Sequence, residues 1–240
     1  MEVTLGTIAV AALATILGAT IQGAIGFGMN LITVPVLALV LPAALPVTVI
    51  VLGFPIAISM LIHEHHAVDR PGVSWIIAGR VPGTLCGALI VATVSTAVLQ
   101  SLVSAVVLVL VAASVLMPPV PVSAGTQLTA GAVSGVTGTA AGIGGPPLAL
   151  LYQHQPGATM RSTLAAAFFF GTCLSLLTLA IAGEAGADQL LLGAGLAPLV
   201  ILGSVAGRRF HDLLDRGWLR PSVLVFVSIT AATALIDAWA

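Results

Sequence analysis

Charge is what this sequence has least of: 6% of its 240 residues are Asp, Glu, Lys or Arg, where a soluble domain carries about 25%. Lysine is absent, and all seven cations are arginine. A Walker-type phosphate loop requires its lysine and Schiff-base chemistry requires one too, so an ATP motor within this chain and lysine-dependent catalysis are excluded. A net charge of −1 leaves no basic footprint for nucleic acid. No acid lies in the middle of an apolar run; Asp237 stands near the end of the last. The intramembrane relay that a proton-coupled carrier usually keeps is therefore missing, and protons that matter would ride on the substrate as a weak acid. The two cysteines, Cys86 and Cys173, lie far apart in apolar segments without a CxxC partner and are expected to be small buried hydrophobes. His63, Glu64, His65 and His66 lack the i, i+4 geometry of a helical zinc pair and are expected in a surface loop. No metal, no cofactor and no enzyme activity are implied, because no His/Asp/Glu constellation falls inside the apolar segments.

Apolar residues make up 59% of the chain. A soluble globule of this size could not be covered by so few charges, whereas a bilayer solvates an apolar exterior. At about 20 residues per helical crossing the fold expected is an all-α polytopic membrane protein with about 8 (7–9) transmembrane helices in two homologous halves. The runs are Leu5 to Ile21, Met29 to Leu41, Val47 to Ile62, Trp75 to Val94, Val98 to Met117, Leu128 to Tyr152, Leu164 to Ala182, Leu190 to Val205 and Leu219 to Trp239. They are continuous rather than alternating, which excludes a β-barrel. Met1-Glu2-Val3 lacks the basic start of a cleavable signal, so the first run is expected to be a retained helix.

The prolines at 118, 119 and 121 cannot all be helical and separate a first repeat (1–117) from a linker (118–127) and a second repeat (128–240). Gly18-x-x-x-Gln22-Gly23-x-x-Gly26-x-Gly28 has a counterpart in Gly131-x-x-x-Gly135-x-x-Gly138 with Gly142-x-Gly144-Gly145-Pro146-Pro147. Gly83-x-x-x-Gly87 answers Gly203-x-x-x-Gly207, and these four are expected to serve tight helix crossings. Glycine-rich breaks at corresponding places in two halves point to the discontinuous helices of a secondary transporter. The arginines near breaks, at 70, 80, 161, 208, 209, 216 and 220, are expected on the cytoplasmic side, and the acidic break Gly183 to Asp188 on the other. Equivalent loops then face opposite sides, which favours inverted repeats and requires a re-entrant glycine break. Arg80 is weighed between snorkelling to the interface and facing an internal path.

Gly142 to Pro147 predicts an unwound turn followed by a new helix starting near Pro146, since proline suits a first helical turn. A helix N-terminus is a ready anion site, and Gly26 to Asn30 is expected to form another. Two such ends contribute ~1–2 kcal/mol each, less than dehydrating a small ion costs. Thr137, Thr139, Gln22, Asn30 or an arginine must add the rest.

Gln22-Gly23-x-x-Gly26-x-Gly28 with Pro35, and Gly138-x-x-x-Gly142-x-Gly144-Gly145-Pro146-Pro147, resemble the TauE/SafE sulfite-exporter family over nearly the whole chain. The resemblance implies a bacterial or plant membrane transporter of sulfite, sulfoacetate or other small sulfur-containing anions. It implies substrate-binding residues at Gln22, Gly23, Gly26, Gly28, Asn30, Gly138, Gly142, Gly144, Gly145, Pro146 and Arg161, the last within Arg161-x-Thr163. Met29-Asn30 stands where Gly145-Pro146 would align, so the two half-sites are unequal. The expectation is export of a small sulfur-containing anion across the inner (plasma) membrane, with the lipid bilayer and the anion as partners and a homo-oligomer left open. The alternatives are a passive anion channel and a transporter of a non-sulfur organic anion.

Overall fold

The computed structural model describes residues 4–95 and 120–209, with isolated positions between 98 and 112. Most of the run from Val98 to Met117, and the whole of that from Leu219 to Trp239 with Arg216 and Arg220, lie outside the described residues. Among the described residues there are eight helices and no strand: α1 (Leu5–Ile25), α2 (Met29–Val40), α3 (Val47–Glu64), α4 (Arg70–Thr93), α5 (Ala124–Ala140), α6 (Gly145–Tyr152), α7 (Gly157–Ile181) and α8 (Ala187–Arg208). Single 3₁₀ turns at Pro42–Ala44 and His65–Ala67 flank α3. Five segments are long and apolar enough to cross a membrane: α1, α3 with its following turn, α4, α7 and α8. This is the architecture of a polytopic membrane protein.

Side-chain caps set the helix starts. Thr4 and Thr7 form a reciprocal box at α1, and Ser123 and Thr126 form one at α5, each satisfying amides that open a helix. Asp69 accepts from the Gly72 amide (3.0 Å) and Pro71 occupies the first turn of α4, so that helix begins five residues before the apolar run at Trp75. The expected loop at His63 to Gly72 is correspondingly short: His63 and Glu64 belong to α3. In the same way α7 starts at Gly157, ahead of its apolar run, and takes Arg161 and Thr163 inside it.

The exterior is apolar and the interior unusually polar. Leu17, Leu85, Leu177 and Leu202 are each more than half exposed, while Thr15, Gln22, Thr33, Thr48, Arg80, Thr84, Ser134, Thr139 and Ser204 are buried. Lipid in place of water outside explains the inversion. Cys86 and Cys173 are exposed on this outer surface, contrary to the expectation of burial; a thiol is apolar enough to face lipid.

Small residues fix the closest helix pairs. A Cβ on Gly79, Gly83 or Gly131 would stand 1.9, 2.1 and 2.1 Å from the carbonyls of Leu128, Ala132 and Ile76, so α4 and α5 touch backbone to backbone. α1 and α8 do the same, Gly23 against Ser204 (2.5 Å), Gly203 against Ile16 (2.6 Å) and Gly207 against Thr20 (2.0 Å). Only glycine permits such an approach. The crossing role expected for Gly83, Gly203 and Gly207 is thus realised, and Gly87 faces the Val136 carbonyl at 2.8 Å.

Candidate functional site: a cavity between the two glycine breaks

The first break follows α1. Gly26 closes that helix at φ 105° and Gly28 opens α2 at φ 115°, a left-handed region that glycine enters at no steric cost. The chain reverses here, and α2 runs back along α1, with Thr33 Oγ1 donating to the Ala14 carbonyl at 3.5 Å. The second break follows α5: Gly142 takes φ 71°, α6 starts at Gly145 and returns along α5. Tyr152 at its end receives a bond from Gln127 (2.8 Å) and donates to Asp69 (2.7 Å). The two breaks meet: Asn30 Nδ2 donates to the Gly142 carbonyl (2.5 Å) and weakly to that of Val49 (3.5 Å).

Between them lies a cavity of about 60 Å³. One water needs ~10–15 Å³ on that measure, so it holds roughly four to six non-hydrogen atoms. Gln22, Gly28, Asn30, Gly138, Gly142, Gly144, Gly145 and Pro146 line it. Gln22 also caps α2, its Oε1 accepting from the Met29 amide (3.0 Å). Three residues expected at the site are not in the lining. Gly23 packs on Ser204, and Gly26 packs on the Arg161 side chain. Arg161 donates from Nε to both oxygens of Glu64 (2.9 and 3.0 Å) and from Nη2 to one of them. Its charge is therefore partnered, and its side chain is one-fifth exposed at one end of the bundle.

The residue that the expected site lacked is Arg80. It falls near the middle of α4, is 4% exposed and lines the cavity. Its Nη1 donates to Ser134 Oγ (3.2 Å) and to the Ala167 carbonyl (3.4 Å). Ser134 in turn donates to the Gly144 carbonyl (2.6 Å), linking the arginine to the second break. Nε has no partner, and among the described residues no carboxylate pairs with the guanidinium; the one ion pair is Arg161 with Glu64. The space it occupies is carved by glycine. A Cβ on Gly171 would stand 2.0 Å from the Arg80 Cζ, one on Gly138 2.9 Å from Nη2, and one on Gly144 3.4 Å from Nη2. A lone buried cation is costly unless something neutralises it, and this one lies beside the cavity.

The helix ends contribute less than the sequence suggested. Pro146 and Pro147 occupy the first turn of α6 and carry no N–H, which leaves the Gly144 and Gly145 amides as donors there. At α2 the Met29 amide is taken by Gln22. The signal for Arg80 was an arginine inside a helix that also carries Gly79, Gly83 and Gly87; it pointed inward only once the start of α4 was known. The cavity walls also hold Thr172 and Ser175 of α7, with Phe168 beside them; Ser175 shares a hydrogen bond with Thr139 (2.7 Å).

Fold and site together define a polytopic membrane protein with a small, arginine-lined cavity within its helices. The family model described as sulfite exporter TauE/SafE matches residues 10–234. The chain belongs to the TauE/SafE sulfite exporter family, a family of membrane transporters. No curated protein and no solved structure matches it.

Proposed function

We propose that this protein is a secondary transporter that exports a small sulfur-containing anion, in the class of sulfite, sulfoacetate and related sulfonates, across the bacterial inner membrane. The observation that carries this reading is Arg80: a buried cation without a carboxylate partner among the described residues, held against a cavity between two glycine breaks. An anion in the cavity completes the charge pair that the protein leaves open. The cavity volume favours the smallest members of the class. An inside-negative potential drives an anion outward, so export requires no motor.

The two halves are inverted repeats in this reading, and the helix directions support it. α1 runs toward the end of the bundle that holds Glu64, Asp69, Arg161 and Arg208, since Gly26 rests on Arg161; α5 runs away from it, from Gln127 beside Asp69. α3 runs toward that end and α7 away from it, Arg161 of α7 meeting Glu64 of α3. α4 leaves it at Asp69, whose amide donates to Thr163 Oγ1 (3.0 Å), and α8 arrives there, Arg208 donating to Ser59 Oγ (2.7 Å). The pairings α4–α5 and α1–α8 exchange when the halves exchange, as do α3–α8 and α4–α7. The hairpins α1–α2 and α5–α6 are then both re-entrant, from opposite sides. By the positive-inside tendency the end with Arg70, Arg161, Arg208 and Arg209 faces the cytoplasm. Alternating access would be a rocking of the two hairpins against the remaining helices, with the Glu64–Arg161 pair at the cytoplasmic mouth.

The test is flux of labelled sulfite in proteoliposomes of the purified protein, with sulfoacetate, thiosulfate, sulfate and chloride as competitors. Saturable flux blocked by sulfur anions supports the proposal. Non-saturable flux would indicate a channel, and no flux with folded protein would refute transport of this class.

A further inference from the structure

Resting on the anion site just proposed, we infer that the species carried is a monoanion bearing its own hydrogen-bond donor, with hydrogensulfite its smallest member, and not a dianion such as sulfite proper or sulfate. Two independent features of the cavity select it.

The first is charge. Among the described residues Arg80 is the one charged side chain in the cavity lining. A monoanion against it makes the site neutral. A dianion leaves a net negative charge inside an apolar bundle, where an unpaired charge is strongly disfavoured. The helix ends supply little of the missing positive charge, because two prolines and Gln22 have removed or occupied donors there and leave the Gly144 and Gly145 amides.

The second is Asn30. Its Nδ2 is placed between the carbonyls of Gly142 and Val49, and this identifies the two ends of the amide: the reverse orientation would set Oδ1 against two carbonyl oxygens. Among the described residues Oδ1 is buried without a partner, on a side chain that lines the cavity. It is an acceptor and nothing else. A substrate O–H or N–H satisfies it, whereas a fully ionised oxyanion offers only acceptors. Arg80 thus reads the ionised oxygens and Asn30 the remaining proton.

The pH dependence then belongs to the substrate. α5 turns Ser134 and Gly138 toward Arg80, and α7 turns Ala167 and Gly171; none of these titrates. α5 has no titratable residue, and on α7 Arg161 pairs with Glu64 of α3 while Cys173 is exposed, as is Cys86 on α4. Each hydrogensulfite that leaves takes one proton with it, so net outward proton movement requires no carboxylate relay.

The experiment uses the intact protein in proteoliposomes at fixed total sulfite, on both sides of the second ionisation of sulfurous acid, with methanesulfonate (a monoanion without a donor) and sulfate as competitors. The rate is expected to follow the monoanion concentration. Methanesulfonate should compete about tenfold more weakly than hydrogensulfite for want of the Asn30 bond, and sulfate not at all. A rate that follows the dianion, or sulfate competing as well as methanesulfonate, overturns the inference while leaving the transporter standing. Flux absent at every pH overturns both. In Asn30→Leu the gap between hydrogensulfite and methanesulfonate should close; a variant that weakens both equally would assign Asn30 to bracing the Gly142 carbonyl and overturn its role as proton reader.

Discussion

Replacing Arg80 with methionine separates function from stability, because the two should move in opposite directions. The guanidinium has a donor without a partner at Nε and lies beside the cavity. A charged hydrogen bond to an ionised oxygen contributes ~1.5–3 kcal/mol, and the attraction of unit charges at 4 Å in an effective dielectric near 20 is roughly 4 kcal/mol. These describe one interaction in two ways and are not summed. The loss is thus ~2–4 kcal/mol, or ~30- to ~700-fold in anion affinity. Without ligand the arginine is a desolvated cation lacking a counter-ion among the described residues, so an apolar side chain of similar length should leave stability unchanged or raise it. The packing gap beside Gly171 and Gly138 offsets part of that gain. The assay is thermal unfolding of purified protein in detergent across a sulfite titration. Wild type should gain ~2.7 kcal/mol at a hundredfold excess over Kd; Arg80→Met should unfold at the same temperature or higher and gain less than ~1 kcal/mol from the same sulfite concentration. A variant that unfolds well below wild type yet is stabilised by sulfite as fully as wild type would refute both the charge argument and the placement of the site.

Five other substitutions, one of them a control, test separate features. In Gly145→Leu the new Cβ meets only ordinary contacts, 3.6 Å from Phe168 and Phe27, so the helix start is kept and the rest of the side chain enters the cavity; transport should be abolished with membrane insertion intact, and normal flux would contradict the site. Gly131→Ala sets a Cβ 2.1 Å from the Ile76 carbonyl and should destabilise the protein by ~1–3 kcal/mol or more, read as a lower unfolding temperature. The control Gly125→Ala, with nothing within 4 Å, should not destabilise at all. Arg161→Ala and Glu64→Gln each break an ion pair that lies outside the cavity lining, so both should change maximal rate more than half-saturating concentration; a change confined to affinity would return Arg161 to the substrate site.

Much of this was legible in the residues themselves. The breaks at Gly26 to Gly28 and at Gly142 to Gly145 show as consecutive glycines and prolines inside apolar runs, a pattern that a continuous membrane helix does not tolerate without reason. Their meeting at Asn30 and Gly142 was not legible, because it spans 112 residues and depends on how the hairpins cross. Arg80 was visible but ambiguous. Counted from Trp75 it sits near a helix end, where snorkelling is the simpler outcome; counted from Arg70 it sits deep inside, and the difference is a cap at Asp69. Arg161 erred the other way: its neighbours suggest a site, while its partner Glu64 lies 97 residues earlier. The prolines of α6 marked the helix start correctly and, by the same chemistry, removed the donors that would have made it a strong anion site.

The most direct test of the central claim is to locate the anion. Selenite is close to sulfite in shape and charge, and its selenium can be found by anomalous scattering in crystals of the protein. The account predicts a single site between the breaks, within hydrogen-bond distance of Arg80 and adjacent to Asn30 and Gly144. Selenium bound beside Arg161 or Arg208, with the cavity empty while the same preparation transports sulfite, would contradict it.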